Sequence, residues 1–227
     1  MQYKGIVTRI ILMLIGVFFA AAGVSFSLKA ELGTSPIGSC PAVFSGPLNL
    51  SVGIVMGIVC ALFVVGQIII LKKKFQPFQL LQLVLAYLFG YMIDLTSSMM
   101  QAFKVDTIFL QIVMCLLGMV VLALGVFMLL KVDLLMLAPD AFAATVSKKF
   151  NLEFSKTKVI LDCFMVAIAA VGSLIIYREI RHVGVGTLAA ALLVGRIIGG
   201  MKSLKPLNQI LDQITEQGTR LPAAETD

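Results

Sequence analysis

The chain has 227 residues, of which 59% are hydrophobic and 13% charged, with a mean hydropathy of +1.03, a net charge of +6 and a pI near 9.2. A water-soluble domain of this size cannot hide so much apolar surface, so the composition points to a protein whose solvent is the lipid bilayer. The basic excess then belongs to membrane topology, because nothing alternates basic with aromatic residues as a nucleic-acid surface would, and nucleic acid is not an expected partner.

About 20 apolar residues carry a helix across a hydrocarbon core roughly 30 Å thick. Six such runs follow one another, at residues 5–28, 50–71, 80–103, 107–130, 157–177 and 183–200. The first has the outline of a signal peptide, with basic residues before an apolar stretch ending in Ala20, Ala21, Ala22 and Gly23. The same pattern returns in mid-chain at residues 107–130, where no cleavage site would serve, so the first run reads as a retained helix. The last run is short, glycine-rich and interrupted by Arg196.

The recurrence extends along the chain. Gly16, Ala21, Gly23, Val24, Leu28, Lys29, Leu32, Asn49 and Leu50 reappear 102 residues later as Gly118, Ala123, Gly125, Val126, Leu130, Lys131, Leu134, Asn151 and Leu152, with Glu31 answered by Asp133. Two halves of three crossings each, an odd number, must face opposite ways, which is the inverted-repeat architecture of many secondary transporters. The expected fold is therefore an all-α membrane protein of six transmembrane helices arranged as two inverted three-helix repeats, residues 1–104 and 105–202. A cytoplasmic amphipathic helix and disordered tail are expected over residues 203–227, from the spacing of Leu204, Leu207, Ile210, Leu211 and Ile214.

Orientation follows from the cations, which accumulate on the cytoplasmic side of membrane proteins. With the N-terminus inside, that side collects Lys72, Lys73, Lys74, Lys148, Lys149, Lys156 and Lys158 among others, against Lys29, Lys104, Arg178 and Arg181 opposite. Both termini are expected in the cytoplasm.

A short segment follows the first span of each half. The first contains Ser35 and Pro36, the second Pro139 and Asp140. A hydroxyl cap before a proline in the first turn starts a helix well, and an acid in the first turn complements the helix dipole. These segments are too apolar for ordinary loops and too short to span. They read either as re-entrant helices whose starts line a cavity between the halves, or as interfacial helices lying flat on the membrane. Re-entrant starts would make Ser35, Pro36, Pro139 and Asp140 substrate-binding.

Of the charges within the apolar runs, Asp94, Asp162 and Arg196 carry the most information, since a lone charge at membrane depth costs at least about 2.5–3.5 kcal/mol. Asp94 in the third run and Arg196 in the sixth occupy related positions, so they could pair, either to fix the packing or to bind substrate. Asp162, in the fifth run, could contact substrate, take up a proton or snorkel to the interface. Asp94 and Asp162 are the proton-coupling candidates. Gly53 and Gly57, and likewise Gly195 and Gly199, stand four apart, a spacing that allows close helix approach within the chain or in a homodimer.

Cys40, Cys60, Cys115 and Cys163 lie far apart, and His182 is the single histidine. No metal site, cofactor motif, phosphate loop or nucleophile elbow is expected, and the chain does not read as an enzyme.

The Leu32–Pro36 stretch, the Pro139–Asp140 pair, and Gly186–Thr187 followed by Gly195 together resemble the YitT/YczE-type bacterial integral membrane proteins, over most of residues 5–200. That resemblance implies residence in a bacterial cytoplasmic membrane and a transport role. The expected function is a small secondary transporter or exporter of a small polar or zwitterionic solute, working by alternating access. The alternatives are a membrane-embedded binding or regulatory subunit of a larger complex, and a passive channel.

Overall fold

The computed structural model describes residues 2–132, 134–204, 208 and 211. The amphipathic helix and tail expected after residue 203, and Asp133 of the repeat, lie largely outside the described residues. Among those described there is no strand. The helices are α1 (Gln2–Ala30), α2 (Pro36–Leu48), α3 (Val52–Leu71), α4 (Leu81–Met100), α5 (Ile108–Val132), α6 (Ala138–Phe150), α7 (Phe154–Tyr177) and α8 (Val185–Ser203). Each of the six apolar runs is a helix, and each short segment between runs is a helix of its own.

Five helical stretches are long and apolar enough to cross a membrane: Ile6–Ala30, Val52–Lys74, Pro77–Met100, Ile108–Val132 and Lys156–Tyr177. The apolar part of α8 is shorter, Val185–Met201. Large side chains on the outside of the bundle, such as Leu62, Ile69, Ile175 and Leu192, are about two-thirds or more exposed. Only lipid makes such a surface tolerable.

The centre of the molecule is the crossing of α1 and α5. Gly16, Ala20, Gly23 and Ser27 form one helical stripe, and the residues 102 positions on, Gly118, Leu122, Gly125 and Leu129, form the facing stripe. Gly16 meets Gly125 and Gly23 meets Gly118, so the two helices run antiparallel. A methyl group at Gly23 would stand 2.6 Å from Leu122 Cα and 2.7 Å from the Gly118 carbonyl oxygen. The backbones themselves are in contact, which is what small residues permit where no hydrophobic effect draws helices together. Val17, Ala20, Ala21 and Val24 are almost fully buried around this crossing.

The 102-residue recurrence has a local structural counterpart in α2 and α6. Both helices have 13 residues and both end at an asparagine in the left-handed conformation, Asn49 with φ 53° and Asn151 with φ 54°. Asparagine tolerates this region better than most residues, and the closing bonds match: Leu50 N–H to Ser45 O at 3.1 Å and Leu152 N–H to Ser147 O at 2.9 Å.

Each short helix packs on a long helix of the other half. The Cys40 thiol donates to Met165 O and the Tyr177 hydroxyl to Val43 O, joining α2 to α7. Phe142 of α6 lies over Gly66 and against Phe63 of α3, with ring centroids 5.3 Å apart.

The halves differ at their last helices. Gly53 of α3 is in backbone contact with Gly90 of α4, so that glycine serves packing within the chain. Gly57, Gly195 and Gly199 meet nothing within 4 Å.

Substituting Gly23→Ala should destabilise the protein by about 1–3 kcal/mol, the cost of overpacking a rigid backbone contact, whereas Gly57→Ala should be neutral or slightly stabilising. Thermal unfolding of the two variants in detergent measures the difference.

Candidate functional site

The starts of α2 and α6 are buried although the segments before them have no regular structure. Pro36, Gly38, Ser39, Cys40, Pro41, Ala42 and Val43 are all buried and Ile37 is partly buried, so the first two turns of α2 are enclosed on nearly every side, and full exposure begins at Gly46. A helix lying flat on a surface would keep one face exposed along its length. In α6 the start Leu137–Pro139 is buried and the far end, with Lys148 and Lys149, is exposed.

Backbone bonds pin the segment before α2. Gly33 has φ +102° and lies so close to Gly184 that a Cβ would stand 2.5 Å from Gly184 N. Thr34 N–H donates to His182 O at 3.0 Å, and Gly186 N–H to Leu32 O at 2.8 Å. Thr187 Oγ1 in turn accepts from Gly184 N–H at 3.2 Å. The Gly186 and His182 bonds therefore join the beginning of α8 to the segment before α2, while Thr187 ties up the turn that starts α8.

The expected hydroxyl cap on α2 is not formed. Ser35 occupies the cap position with Pro36 next, but no side chain caps the helix. The Ser35 carbonyl takes the Gly38 N–H at 2.9 Å, and the Thr34 hydroxyl donates to that same carbonyl at 3.0 Å. This leaves Ser35 Oγ with no hydrogen-bond partner at 1% exposure.

At α6 the corresponding cap residue is Leu137, which has no polar side chain to offer. Pro139 lies in the first turn, and Asp140 turns its carboxylate toward α7. Lys158 Nζ lies 3.0 Å from Asp140 Oδ1 and 2.7 Å from Asp162 Oδ1. All three side chains are largely buried, so two carboxylates share one ammonium inside the bundle. Nearby, Gln67 and Gln82 bond to each other, and Gln67 Nε2 reaches Ala138 O at 3.3 Å. The preceding α6 residue, Ala138, is thus fastened to α3 and α4.

The expected pair of Asp94 and Arg196 is not formed. Asp94 Oδ2 accepts from the Ser51 hydroxyl at 2.5 Å, and Oδ1 from Gly53 N–H at 2.8 Å. Asp94, carried by α4, is a carboxylate cap for the start of α3, where the helix dipole favours it. Arg196 is exposed and has no ion-pair partner among the described residues. The structure thus groups Asp140 with Asp162, keeps Ser35 and Pro36 at a separate helix start, and removes Asp94 and Arg196 from a common site.

Lys158 escaped the sequence reading, which assigned it to the cytoplasmic surface. Its position four residues before Asp162 on one helix face was the available clue. Among the described residues no group of three or more His, Cys, Asp or Glu side chains is placed to hold a metal ion. Two grooves of about 460 and 280 Å³ are lined by apolar side chains, one by Phe44, Gly172 and Ile175, the other by Ile10, Phe78 and Leu134. Neither touches the polar groups above.

The chain belongs to the family of unknown function DUF6198, which it matches over residues 7–203. No curated protein and no solved structure matches it.

Replacing Lys158 by Met strands two carboxylates and should cost about 3–5 kcal/mol at neutral pH, since a broken buried pair leaves charge uncompensated. The triple variant Asp140→Asn, Lys158→Met, Asp162→Asn should recover most of that loss. Thermal unfolding of both proteins tests the coupling, and equal losses would show that the three groups act independently.

Proposed function

We propose that this DUF6198 protein is a small secondary transporter of a small polar or zwitterionic solute, built from two inverted three-helix repeats and resident in a bacterial cytoplasmic membrane with both termini inside. The observation that carries this reading is the Asp140–Lys158–Asp162 triad at a buried helix start. Three charges within an apolar bundle are a poor route to stability, because their desolvation offsets their attraction. Inside membranes such groups instead mark ion and substrate pathways.

Architecture supports the same reading. An approximate twofold axis in the membrane plane would bring α1 and α5 together antiparallel, as they are, with α2 and α6 as re-entrant helices on either side of it. Irregular backbone at that depth needs burial in protein, which the contacts before α2 provide. The membrane setting also fits the resemblance to YitT/YczE-type proteins.

In the mechanism we propose, Lys158 holds both carboxylates while the site is empty. Protonation of Asp162 weakens one ion pair and releases Lys158 toward Asp140, which frees an acceptor and a donor for the solute. Deprotonation on the other side restores the triad. Alternating access needs two packings, and in our reading the close α3–α4 contact is one of them while the open glycines of α8 leave room for α8 to adopt the other.

The test is proton movement in liposomes containing the purified protein and an internal pH-sensitive dye, challenged with a library of small polar metabolites. At least one solute should drive proton flux in the wild type. Asp162→Asn should abolish that flux, while Asp94→Asn, which alters only a helix cap, should retain it. Flux by no solute, or undiminished flux in the Asp162 variant, contradicts the reading.

A further inference from the structure

The two short helices start at equivalent places but with opposite chemistry. Asp140 stands 102 residues after Gly38, and Lys158 after Met56. The α6 start thus carries its own carboxylate and counter-cation, whereas the α2 start carries neither. Ser35 Oγ is the buried side-chain oxygen without a partner among the described residues. It lies over the first turn of α2, 3.1 Å from the point where a Gly38 Cβ would be, and Thr34 Oγ1 lies 2.7 Å from that point. Both hydroxyl oxygens, with Val24 Cγ1 at 3.3 Å, therefore crowd the Gly38 side of the helix start, and of the two hydroxyls only Ser35 has a proton that is not already donated.

We infer that the first turn of α2, with the Ser35 hydroxyl beside Gly38, is a subsite for the carboxylate group of a small organic solute. The physical reasons are additive. The positive end of the helix dipole, which no side chain caps, favours an anion. Pro36 has no N–H, and Gly38 N–H is already used by Ser35 O, so few donors remain and a hydroxyl donor is needed to complete the shell. Ser35 Oγ has its proton free for that purpose. A carboxylate, singly charged and planar with two acceptor oxygens, suits such a site. Phosphate and sulfate dianions need cationic side chains, and none bonds to this start among the described residues. The segment before α2 is tied to the start of α8 by the Thr34 N–H to His182 O and Gly186 N–H to Leu32 O bonds, so movement of α8 would open or close the subsite.

This inference rests on the transport reading only for the way the solute reaches the helix start, which is closed in this conformation. Its test therefore reads binding without turnover. Purified protein is unfolded thermally in sodium acetate, sodium chloride and sodium sulfate at matched ionic strength. Acetate should raise the melting temperature saturably, beyond either other salt, since a ligand that prefers the folded form stabilises it. Ser35→Ala should raise the half-saturating acetate concentration at least roughly tenfold, the factor expected for losing one hydrogen bond to a charged group. The same variant should leave the melting temperature without acetate unchanged or higher, because its hydroxyl has no partner to lose; a structural cap would lower it. Gly38→Ala, whose methyl group would displace both hydroxyls, is the second variant and should also remove the acetate shift. No acetate-specific shift in the wild type, an equal response to chloride, or a retained shift in both variants overturns the subsite. An acetate shift with no proton flux for any solute would leave the subsite standing and overturn the transport reading alone.

Discussion

The structure depends on one contact, the backbone-to-backbone crossing of α1 and α5 at Gly16, Gly23, Gly118 and Gly125. Lipid tails are as apolar as leucine, so helices in a membrane gain little by burying leucine against leucine; they associate through close packing. Glycine at four equivalent points allows that packing and also fixes the direction of the helices. Every other element is arranged around this crossing. α4 and α8 flank it, while α2 and α6 are carried across to the long helices of the opposite halves.

Polar groups inside such a bundle must satisfy one another, and most of them do. Ser25 meets Thr96 and Ser97 between α1 and α4, Gln67 meets Gln82, and Asp94 caps α3. Two places break this rule in different ways. At α6, three charges share ion pairs where an apolar core would be at least as stable. At α2, a buried hydroxyl has no partner at all. An unmade hydrogen bond in a buried place costs about 1–3 kcal/mol, free energy that a ligand at the α2 start can recover, whereas at α6 the cost lies in desolvating three charges.

Much of this was legible in the sequence, because membrane helices announce themselves by length and composition and because the 102-residue recurrence puts glycines and asparagines in register. The long helices follow from the apolar runs, and the two short helices from the prolines that start them. Side-chain partners were not legible. Asp94 and Arg196 looked like a pair from their positions along equivalent helices, yet Asp94 reaches the start of the neighbouring α3, a contact that depends on the Gly53–Gly90 approach between helices. Lys158 looked like one more cytoplasmic lysine, because a charge count along the chain cannot tell a cation that points outward from one that bends back to two acids. Ser35 looked like an ordinary cap. Only the geometry shows that its carbonyl and not its hydroxyl receives the Gly38 N–H.

The central claim is that the halves enclosing the crossing are threaded through the bilayer in opposite senses. Cysteine labelling tests it most directly. In a background with Cys40, Cys60, Cys115 and Cys163 replaced, single cysteines at Asn49 and Asn151, which end the two short helices, would be challenged in intact cells with a membrane-impermeant maleimide. Labelling at position 49 and protection at position 151 until the cells are opened is the expected result. Labelling of both, or of neither, would place the two equivalent turns on one side of the membrane and contradict the account.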